Sequence, residues 1–305
     1  MTSARLRIVV TGARGFVGGH VCHALADAGH EVRQAVREDW GDLAARRDFT
    51  PLFEGADAVV HLANIAHRDA DEAELRRVNV QGTAGLAQAA ERAGVRRFVY
   101  LSSVKVHGER SHQRPLDESS PLVPEDAYGR AKLEAERALA SVDGMEHVVL
   151  RPPLVYGPGV RGNFLRLLRA IERGWPIPVS SIENRRSLLY VRNLADAVAV
   201  ATVHPNAAGA TFLLTDGAAL SSADLVRSLA TGLVRRARFL WLPLPLLTFG
   251  AALCGRRADL DRFTGSLELD DHHIRAELGW RPPYTLEEGL SATAVWFRRT
   301  LARVQ

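Results

Sequence analysis

The sequence is poor in cysteine and has no long uninterrupted apolar stretch. Its two cysteines, Cys22 and Cys254, are too few for a disulfide framework or a cysteine-based metal site. The nearest candidate for a membrane span, residues 239–254, is shorter than the ~18 apolar residues that a spanning helix needs and contains Pro243 and Pro245. The N-terminal residues show no signal-peptide pattern. We therefore predict a cytoplasmic protein with no integral membrane span.

Concentrated positive charge is absent as well. The net charge is only +4, and the arginines are scattered, with adjacent pairs such as Arg235-Arg236 as the densest clusters. No basic stripe with interleaved aromatic residues is present, so we predict no nucleic-acid partner. Some arginines are expected to meet the phosphates of a small ligand, because the planar guanidinium suits bidentate contacts.

Motifs for hydrolytic and metal chemistry are also missing. No Gly-x-Ser-x-Gly sequence occurs, so a hydrolase has no support. The run 270–273 (DDHH) consists of metal-binding residue types, but consecutive residues at a helix start point in different directions. His61 and His67 lack a Cys, Asp or Glu at the spacing of a zinc site. We predict no metal site and interpret 270–273 as an acidic helix N-terminus.

Strand-like and helix-like stretches alternate through the first half of the chain. Near-continuous apolar strands with helices between them are typical of a parallel sheet covered on both faces. After about residue 160 the alternation loosens, which predicts a smaller mixed α/β region. The predicted strands are 6–12, 31–36, 57–63, 96–103 and 147–152, and the predicted helices between them are 16–28, 72–93 and 126–142.

A glycine-rich turn follows the first strand. Gly12, Gly15 and Gly18 stand between that strand and the opening of a helix. Glycine allows a sharp turn and lets a pyrophosphate approach the helix N-terminus, where free N–H groups and the helix dipole favour an anion. The spacing differs by one residue from the usual dinucleotide fingerprint, but its place at the first strand of an α/β pattern predicts a nucleotide cofactor.

The end of the second strand bears on which cofactor binds. NAD-binding chains usually have an acidic residue there that holds the adenosine ribose. This chain has Val36 at that place, followed by Arg37, and Arg14 lies in the glycine loop. Two cations suit a 2′-phosphate and favour NADP(H). NAD(H) remains open if Arg37 points to solvent and Glu38 or Asp39 takes the ribose.

A tyrosine and a lysine share one face of the helix 126–142. Tyr128 and Lys132 are four residues apart. Lowering the pKa of a phenol from ~10 to about 7 takes ~4 kcal/mol, and an ammonium about 4 Å away supplies that order of energy at an effective dielectric near 20. The pair can then exchange a proton with a substrate while a hydride moves to or from the cofactor. Ser102 and Ser103, at a strand end, are candidates to polarise the reacting oxygen.

Several motifs together resemble the extended short-chain dehydrogenase/reductases that act on nucleotide sugars. The resemblance covers nearly the whole chain and implies a Rossmann-type doubly wound parallel sheet with a smaller mixed α/β C-terminal substrate domain. It rests on TGARGFVG (11–18), HLAN (61–64), NVQGT (79–83), SSVKVHG (102–108), YGRAK (128–132), RPPLVYGPG (151–159) and LGWRPPYTLEEGL (278–290).

The resemblance implies roles for individual residues. The catalytic residues are expected to be Ser103, Tyr128 and Lys132, and His107 stands where the family usually has tyrosine. The cofactor-binding residues are expected to be Gly12, Arg14, Gly15, Phe16, Val17, Gly18, Arg37, Asp42, Leu43, Leu62, Ala63, Asn79, Tyr128, Lys132, Pro153 and Val155. Ser103, Asn163, Arg186 and Arg262 are the expected substrate contacts, although Ser187 stands where the family has an acid after the arginine.

Three sugar chemistries compete within that family. A 4,6-dehydratase needs an Asp-Glu pair after the catalytic Ser or Thr, and here Val104-Lys105 follows Ser103. A UDP-hexose or UDP-N-acetylhexosamine 4-epimerase with NAD remains an alternative. The finer resemblance is to the UDP-4-keto-6-deoxy-N-acetylglucosamine 4-reductases, which make UDP-N-acetylquinovosamine for surface polysaccharides, and this reduction is the predicted function. A non-catalytic NADP-binding regulator is a minor alternative. Such relatives typically lose the Tyr-Lys pair, whereas this chain keeps both residues together with the serine.

The resemblance also implies the domain and subunit organisation. Residues 1–160 are expected to form the dinucleotide-binding domain, to which 187–215 returns. Residues 161–305 are expected to bind the nucleotide sugar. Relatives pair the helices that correspond to 72–93 and 126–142 in a four-helix bundle, so we expect a homodimer.

Overall fold

The computed structural model describes residues 5–36, 41, 43, 48–65, 71–243 and 264–302. Three residues of the predicted site, Arg37, Asp42 and Arg262, lie outside these ranges.

A six-stranded sheet forms the centre of the fold. All neighbouring strands are parallel and stand in the order β2-β1-β3-β4-β5-β8. The chain runs from β1 to β2 on one side and then crosses to β3 on the other, so the sheet is doubly wound, as predicted. Such a crossing opens a crevice at the carboxyl ends of the strands. The strands are β1 (Arg7–Thr11), β2 (Glu31–Ala35), β3 (Ala58–His61), β4 (Arg97–Leu101), β5 (Glu146–Arg151) and β8 (Thr211–Leu213).

Helices cover both faces of this sheet, which explains why the central strands are apolar on both sides. One face is packed by α1 (Phe16–Asp27) and α6 (Val191–Val203), and the other by α3 (Gly82–Arg92) and α4 (Ala127–Ala140). The other α-helices of the described ranges are α2 (Glu72–Leu75), α5 (Gly162–Glu172), α7 (Ser222–Gly232), α8 (His272–Leu278) and α9 (Leu286–Ala302).

The region predicted as one helix over 72–93 contains a π-helical segment. Arg76–Gln81 forms that segment, and it joins α2 to α3 without a break. Its buried Asn79 accepts a hydrogen bond from the Ile65 backbone N–H at 2.8 Å and donates to the Ile65 carbonyl at 2.9 Å. The π segment therefore presents a side chain that secures the loop after β3.

The second half of the chain builds a separate core. Strands β6 (Leu154–Tyr156) and β7 (Leu188–Tyr190) form a two-stranded parallel sheet, on which α5, α7 and α9 pack through apolar side chains. Strand β6 escaped the sequence analysis because it is only three residues long and lies between Pro153 and Gly157. The division of the chain into two domains stays a prediction. Within the described ranges, no helix combines the length and the apolar character needed to cross a membrane.

Candidate active site

The glycine loop connects β1 to α1 by a close backbone approach. Gly12 has φ +70°, and a Cβ there would stand 2.7 Å from the backbone nitrogen of Ala63. The Gly15 N–H donates to the Gly12 carbonyl at 2.9 Å, and a Cβ on Gly18 would overlap that same carbonyl oxygen. Only glycine fits positions 12 and 18. Among the described residues, no side chain caps the N-terminus of α1, and free N–H groups at such a helix start favour an anion.

A cavity of about 460 Å³ opens beside this loop. Six of the predicted cofactor residues line it, together with residues that the sequence analysis did not assign, among them Glu74 and Arg77 of the adjoining helical segment. The loop that Asn79 secures through Ile65 forms part of its wall. The predicted residues that line the cavity are Gly12, Arg14, Gly15, Leu43, Leu62 and Ala63.

These features fit a dinucleotide. The N-terminus of α1 suits a diphosphate, and a cavity that combines glycine and apolar side chains with a few polar ones suits an adenosine. Phe16 and Val17 open α1, while Pro153 follows β5 and Val155 lies in β6, all at the carboxyl edge of the sheet. When bound, the nicotinamide ring of such a cofactor accepts or supplies the hydride and carries positive charge in its oxidised form.

Ser103 stands where β4 leaves the sheet. It is the N-cap of a short 3₁₀ turn, Val104–Val106, and its Oγ accepts a hydrogen bond from the Lys105 N–H at 3.3 Å. The Val104 N–H donates to the Pro152 carbonyl at 3.0 Å, which ties the ends of β4 and β5 together. Ser103 is half-buried and, like the glycine loop, lies at the carboxyl ends of the parallel strands.

Tyr128 and Lys132 lie in the first turns of α4. The Asp126 side chain caps this helix by accepting from the Gly129 N–H at 2.7 Å. Lys132 is buried and donates to the Leu101 carbonyl at 2.7 Å, two residues before Ser103. Its Nζ lies 5.8 Å from the centroid of the Tyr128 ring. The predicted pair and the serine therefore come from two elements that meet at one strand end.

The charges and burial of the protein itself, without a cofactor, correct the sequence-based argument that Lys132 lowers the pKa of Tyr128. Burial lowers the pKa of Lys132 to about 7, with the Glu136 carboxylate opposing that shift. Burial and the Asp126 carboxylate raise the pKa of Tyr128 above its ordinary value. The simple estimate was wrong because it omitted the cost of desolvating both groups and the charge of Asp126. A phenolate at neutral pH thus requires further positive charge, which an oxidised nicotinamide would supply.

A buried polar network below the catalytic candidates was missed by the sequence analysis. Ser102 donates to Glu136, and Arg151 donates to both Glu136 oxygens at 3.0 and 2.6 Å. Arg151 Nη1 also lies 3.0 Å from His107 Nε2, and His107 Nδ1 lies 3.1 Å from the Ser120 carbonyl. Since a carbonyl only accepts, His107 carries its proton on Nδ1 and accepts from Arg151. One sequence signal could have revealed this network: Glu136 follows Lys132 by one helical turn, which places both side chains on the same face of α4.

His61 belongs to a second buried network rather than to a metal site. Its Nδ1 lies 2.7 Å from the Thr11 hydroxyl and its Nε2 lies 2.9 Å from the Thr83 hydroxyl, which itself donates to the Asn79 carbonyl. Burial lowers the pKa of His61 to about 3, so it is neutral. Within the described ranges, no group of three or more His, Cys, Asp or Glu residues could hold a metal ion.

Besides Ser103, the structure describes two of the predicted substrate contacts, Asn163 and Arg186. Asn163 is exposed at the start of α5, where its Oδ1 accepts from Arg166. Arg186 is half-buried and donates to the Gly265 carbonyl at 2.8 Å. The Glu109 carboxylate lies close enough to Arg186 to act on its pKa, although burial dominates and lowers it. Through Glu109, which also pairs with Lys105, Arg186 is connected electrostatically to the catalytic end of the crevice.

Comparison with protein families gives one matching family model. It is described as the NAD dependent epimerase/dehydratase family and matches residues 8–214. Among curated proteins, the chain is 40% identical over 311 residues to a UDP-glucose 4-epimerase of Vibrio cholerae, with 95% of each chain covered.

Solved structures resemble the chain over almost its full length. A short-chain dehydrogenase/reductase superfamily protein of Agrobacterium tumefaciens with bound NAD has a TM-score of 0.79 at 25% identity, covering 98% of this chain and 99% of that one. The protein MoeE5 in complex with UDP-glucose and NAD has a TM-score of 0.79 at 26% identity, covering 97% of this chain and 99% of that one.

Proposed function

Because the chain belongs to the NAD dependent epimerase/dehydratase family of extended short-chain dehydrogenase/reductases, we propose that it moves a hydride to and from C4 of a UDP-sugar and acts as a UDP-hexose or UDP-N-acetylhexosamine 4-epimerase. In this reaction C4 is oxidised to a ketone, the keto sugar rotates within the site, and the hydride returns to the opposite face of C4. Because the hydride that leaves C4 is the one that returns, this reaction would need no added reductant. The similar proteins named for UDP-glucose 4-epimerase activity and for a UDP-glucose complex support this choice of substrate class.

The observation that carries the proposal is the position of Lys132, whose Nζ donates to the Leu101 carbonyl two residues before Ser103 and lies 5.8 Å from the centroid of the Tyr128 ring. Ser103 would donate to the C4 oxygen, and Tyr128 would remove the hydroxyl proton as the hydride leaves C4. Lys132, fixed by the Leu101 carbonyl, would position the tyrosine and stabilise its phenolate. Returning the proton from Tyr128 completes the reverse half-reaction on the other face of the sugar.

The residues after Ser103 oppose dehydration. Elimination of water across C5 and C6 needs an acid and a base near the sugar. The first following residue, Val104, is apolar and buried, and the second, Lys105, is bound to two carboxylates. Neither residue provides the carboxylate pair that the sequence analysis sought at these positions.

The second candidate is the 4-keto reduction that forms UDP-N-acetylquinovosamine. It is favoured by the lining of the cavity, where Val36 stands in place of the usual acid and Arg14 adds a positive charge. That arrangement suits a cofactor with a 2′-phosphate, and NADPH suits a one-way reduction.

One experiment separates the two reactions. Purified enzyme would be incubated with UDP-glucose, UDP-galactose and their N-acetyl analogues without added reductant, and in parallel with UDP-4-keto-6-deoxy-N-acetylglucosamine and NADPH or NADH, with products identified by NMR. Epimer interconversion without reductant is the expected result. Consumption of the keto sugar without any epimer interconversion would replace the epimerase with the reductase.

The preference between NADP(H) and NAD(H) can be tested with a variant of Arg14. If its guanidinium holds a 2′-phosphate, Arg14→Ala should weaken the binding of NADPH about tenfold or more and leave NADH binding nearly unchanged. Equal affinities of the wild-type protein for NADH and NADPH, unchanged by the substitution, would refute a preference for NADP(H).

A homodimer through the helical region 72–93 and helix 126–142 remains part of the proposal. These helices already contact each other within one chain, since Arg130 pairs with Glu72 at 3.0 Å and Arg76 with Glu134 at 3.1 Å. Sedimentation equilibrium would give twice the monomer mass of 33.4 kDa if the proposal is right, and the monomer mass if it is wrong.

A further inference from the structure

Lysine is almost absent from this basic chain. Of the 39 lysine and arginine residues, only Lys105 and Lys132 are lysines. Both side-chain nitrogens lie within reach of the same ring, because the Nζ atoms of Lys132 and Lys105 are 5.8 and 5.9 Å from the centroid of Tyr128. Lys132 has a proposed role beside Tyr128, whereas the sequence analysis used Lys105 only as evidence against dehydration.

Lys105 bridges two carboxylates with one nitrogen. Its Nζ lies 2.7 Å from Asp126 Oδ2 and 3.0 Å from Glu109 Oε1, and its side chain is about one third exposed, at 32%. A single ammonium can serve two acceptors from one point, whereas an arginine places its donors on a planar fork. Asp126 is the N-cap of α4, so Lys105 connects the 3₁₀ turn after Ser103 to the start of the helix that carries Tyr128.

Among the described residues, charged and titratable groups around Tyr128 are contributed by α4, β4 and the 3₁₀ turn. From α4 and its cap come Lys132 and Asp126, from β4 comes the Tyr100 phenol, and from the 3₁₀ turn comes Lys105 with Glu109 behind it. Asp126 opposes a phenolate at Tyr128, and Tyr100 and Tyr128 repel each other as anions. The ammonium in direct contact with Asp126 is that of Lys105, at a distance of 2.7 Å.

We propose that Lys105 is a positioning residue that neutralises Asp126 and holds the N-terminus of α4 against the 3₁₀ turn, so that Tyr128 can form its phenolate during hydride transfer. Asp126 is needed as the helix cap, yet its charge lies beside the group that must become an anion. Lys105 resolves this conflict without removing the cap. The role rests on the proposed function, because it assumes that Tyr128 is the proton acceptor.

The test is a double-mutant cycle between positions 105 and 126. Lys105→Met removes the ammonium and keeps the length of the side chain. Asp126→Asn removes the carboxylate charge and keeps the oxygen that accepts from the Gly129 N–H. The two single variants and the double variant would be compared with the wild-type protein. Circular dichroism and thermal melting would establish that each variant is folded.

The main readout is the ionisation of Tyr128, measured without turnover. Tyrosinate absorbance would be titrated for each protein, and the same variant carrying Tyr128→Phe would be subtracted so that only Tyr128 contributes. We expect Lys105→Met to raise the titration midpoint by about one pH unit, a tenfold change in the phenolate population. The double variant should return to within about 0.3 pH units of wild type, because no carboxylate then needs neutralising.

Two results would overturn the proposal. A folded Lys105→Met protein that titrates like wild type would leave Lys105 without influence on Tyr128. A double variant that stays as high as Lys105→Met would show that the effect does not pass through Asp126. Failure of the wild-type enzyme to convert any UDP-sugar would contradict the proposed function instead, because the absorbance titration does not depend on turnover.

Discussion

Arg151 of β5 and Glu136 of α4 form a buried bidentate ion pair one helical turn beyond Lys132. The Nε and Nη2 atoms of Arg151 donate to the two carboxylate oxygens at 3.0 and 2.6 Å, and both side chains are less than one tenth exposed. The pair fixes α4 to the sheet directly behind the catalytic candidates. The Glu136 carboxylate also stabilises the ammonium of Lys132, whose pKa burial lowers.

The first prediction concerns Glu136→Gln. The neutral amide leaves the Arg151 guanidinium buried without its counter-ion, so the free energy of unfolding should fall by about 3 kcal/mol. Glu134→Gln on the same helix is the matched control, because Glu134 pairs with Arg76 at the surface and its loss should change stability by less than about 0.5 kcal/mol. Urea denaturation of both variants measures the difference. Equal losses would mean that the buried pair contributes no more than a surface pair.

The second prediction concerns Gly129→Ala. A Cβ at position 129 would stand 2.7 Å from the Lys105 carbonyl oxygen and 3.1 Å from Cβ of Pro124. Because backbone must move to admit it, we expect a loss of about 1–3 kcal/mol in stability and a clear loss of kcat. Gly85→Ala in α3 is the control, since its Cβ would meet only the Phe49 ring at 3.7 Å. Thermal melting and steady-state rates distinguish the two, and a fully active Gly129→Ala would contradict the prediction.

The third prediction concerns Tyr128→Phe. This change removes the O–H that exchanges the proton with the substrate, so kcat should fall by on the order of 10²–10⁴ while the fold is kept. Tyr284→Phe, which changes a tyrosine that lies outside the site and packs edge-on against Tyr190, serves as the control. Product formation from UDP-sugars by both variants is the measurement. Retention of wild-type activity by Tyr128→Phe would remove the tyrosine from the mechanism.

The fourth prediction concerns acid stability and His61. Burial lowers its pKa in the folded protein to about 3, below the ordinary value of 6.5. The unfolded chain therefore takes up a proton that the folded protein does not, and stability present above about pH 6.5 is lost as the pH falls towards 3. His61→Gln should reduce the slope of unfolding free energy against pH, between about pH 6 and pH 4, by up to ~1.4 kcal/mol per pH unit. Identical slopes in urea denaturation would refute the burial of a neutral His61.

Local sequence was enough to predict the strands and helices of the central sheet, although it missed β6 and the π-helical segment, and to select the candidate site residues. The alternation of apolar strands with periodic helices is a property of neighbouring residues, and it predicted the parallel sheet that the structure confirms. The glycine loop can be recognised from sequence because its glycines lie close together in the chain and are required by one local backbone turn. The same holds for Tyr128 and Lys132, since four residues on a helix place two side chains on one face.

Tertiary structure alone decided which charges surround that pair. Lys105 meets Asp126, and Glu136 meets Arg151, only because separate elements converge at the strand ends. The direction of the pKa shift at Tyr128 was wrong in the sequence analysis for the same reason. Desolvation depends on how the chain packs, and Coulomb interactions act through space rather than along the sequence. The sequence by itself therefore determined the chemical groups, and folding determined the electrostatic environment in which they act.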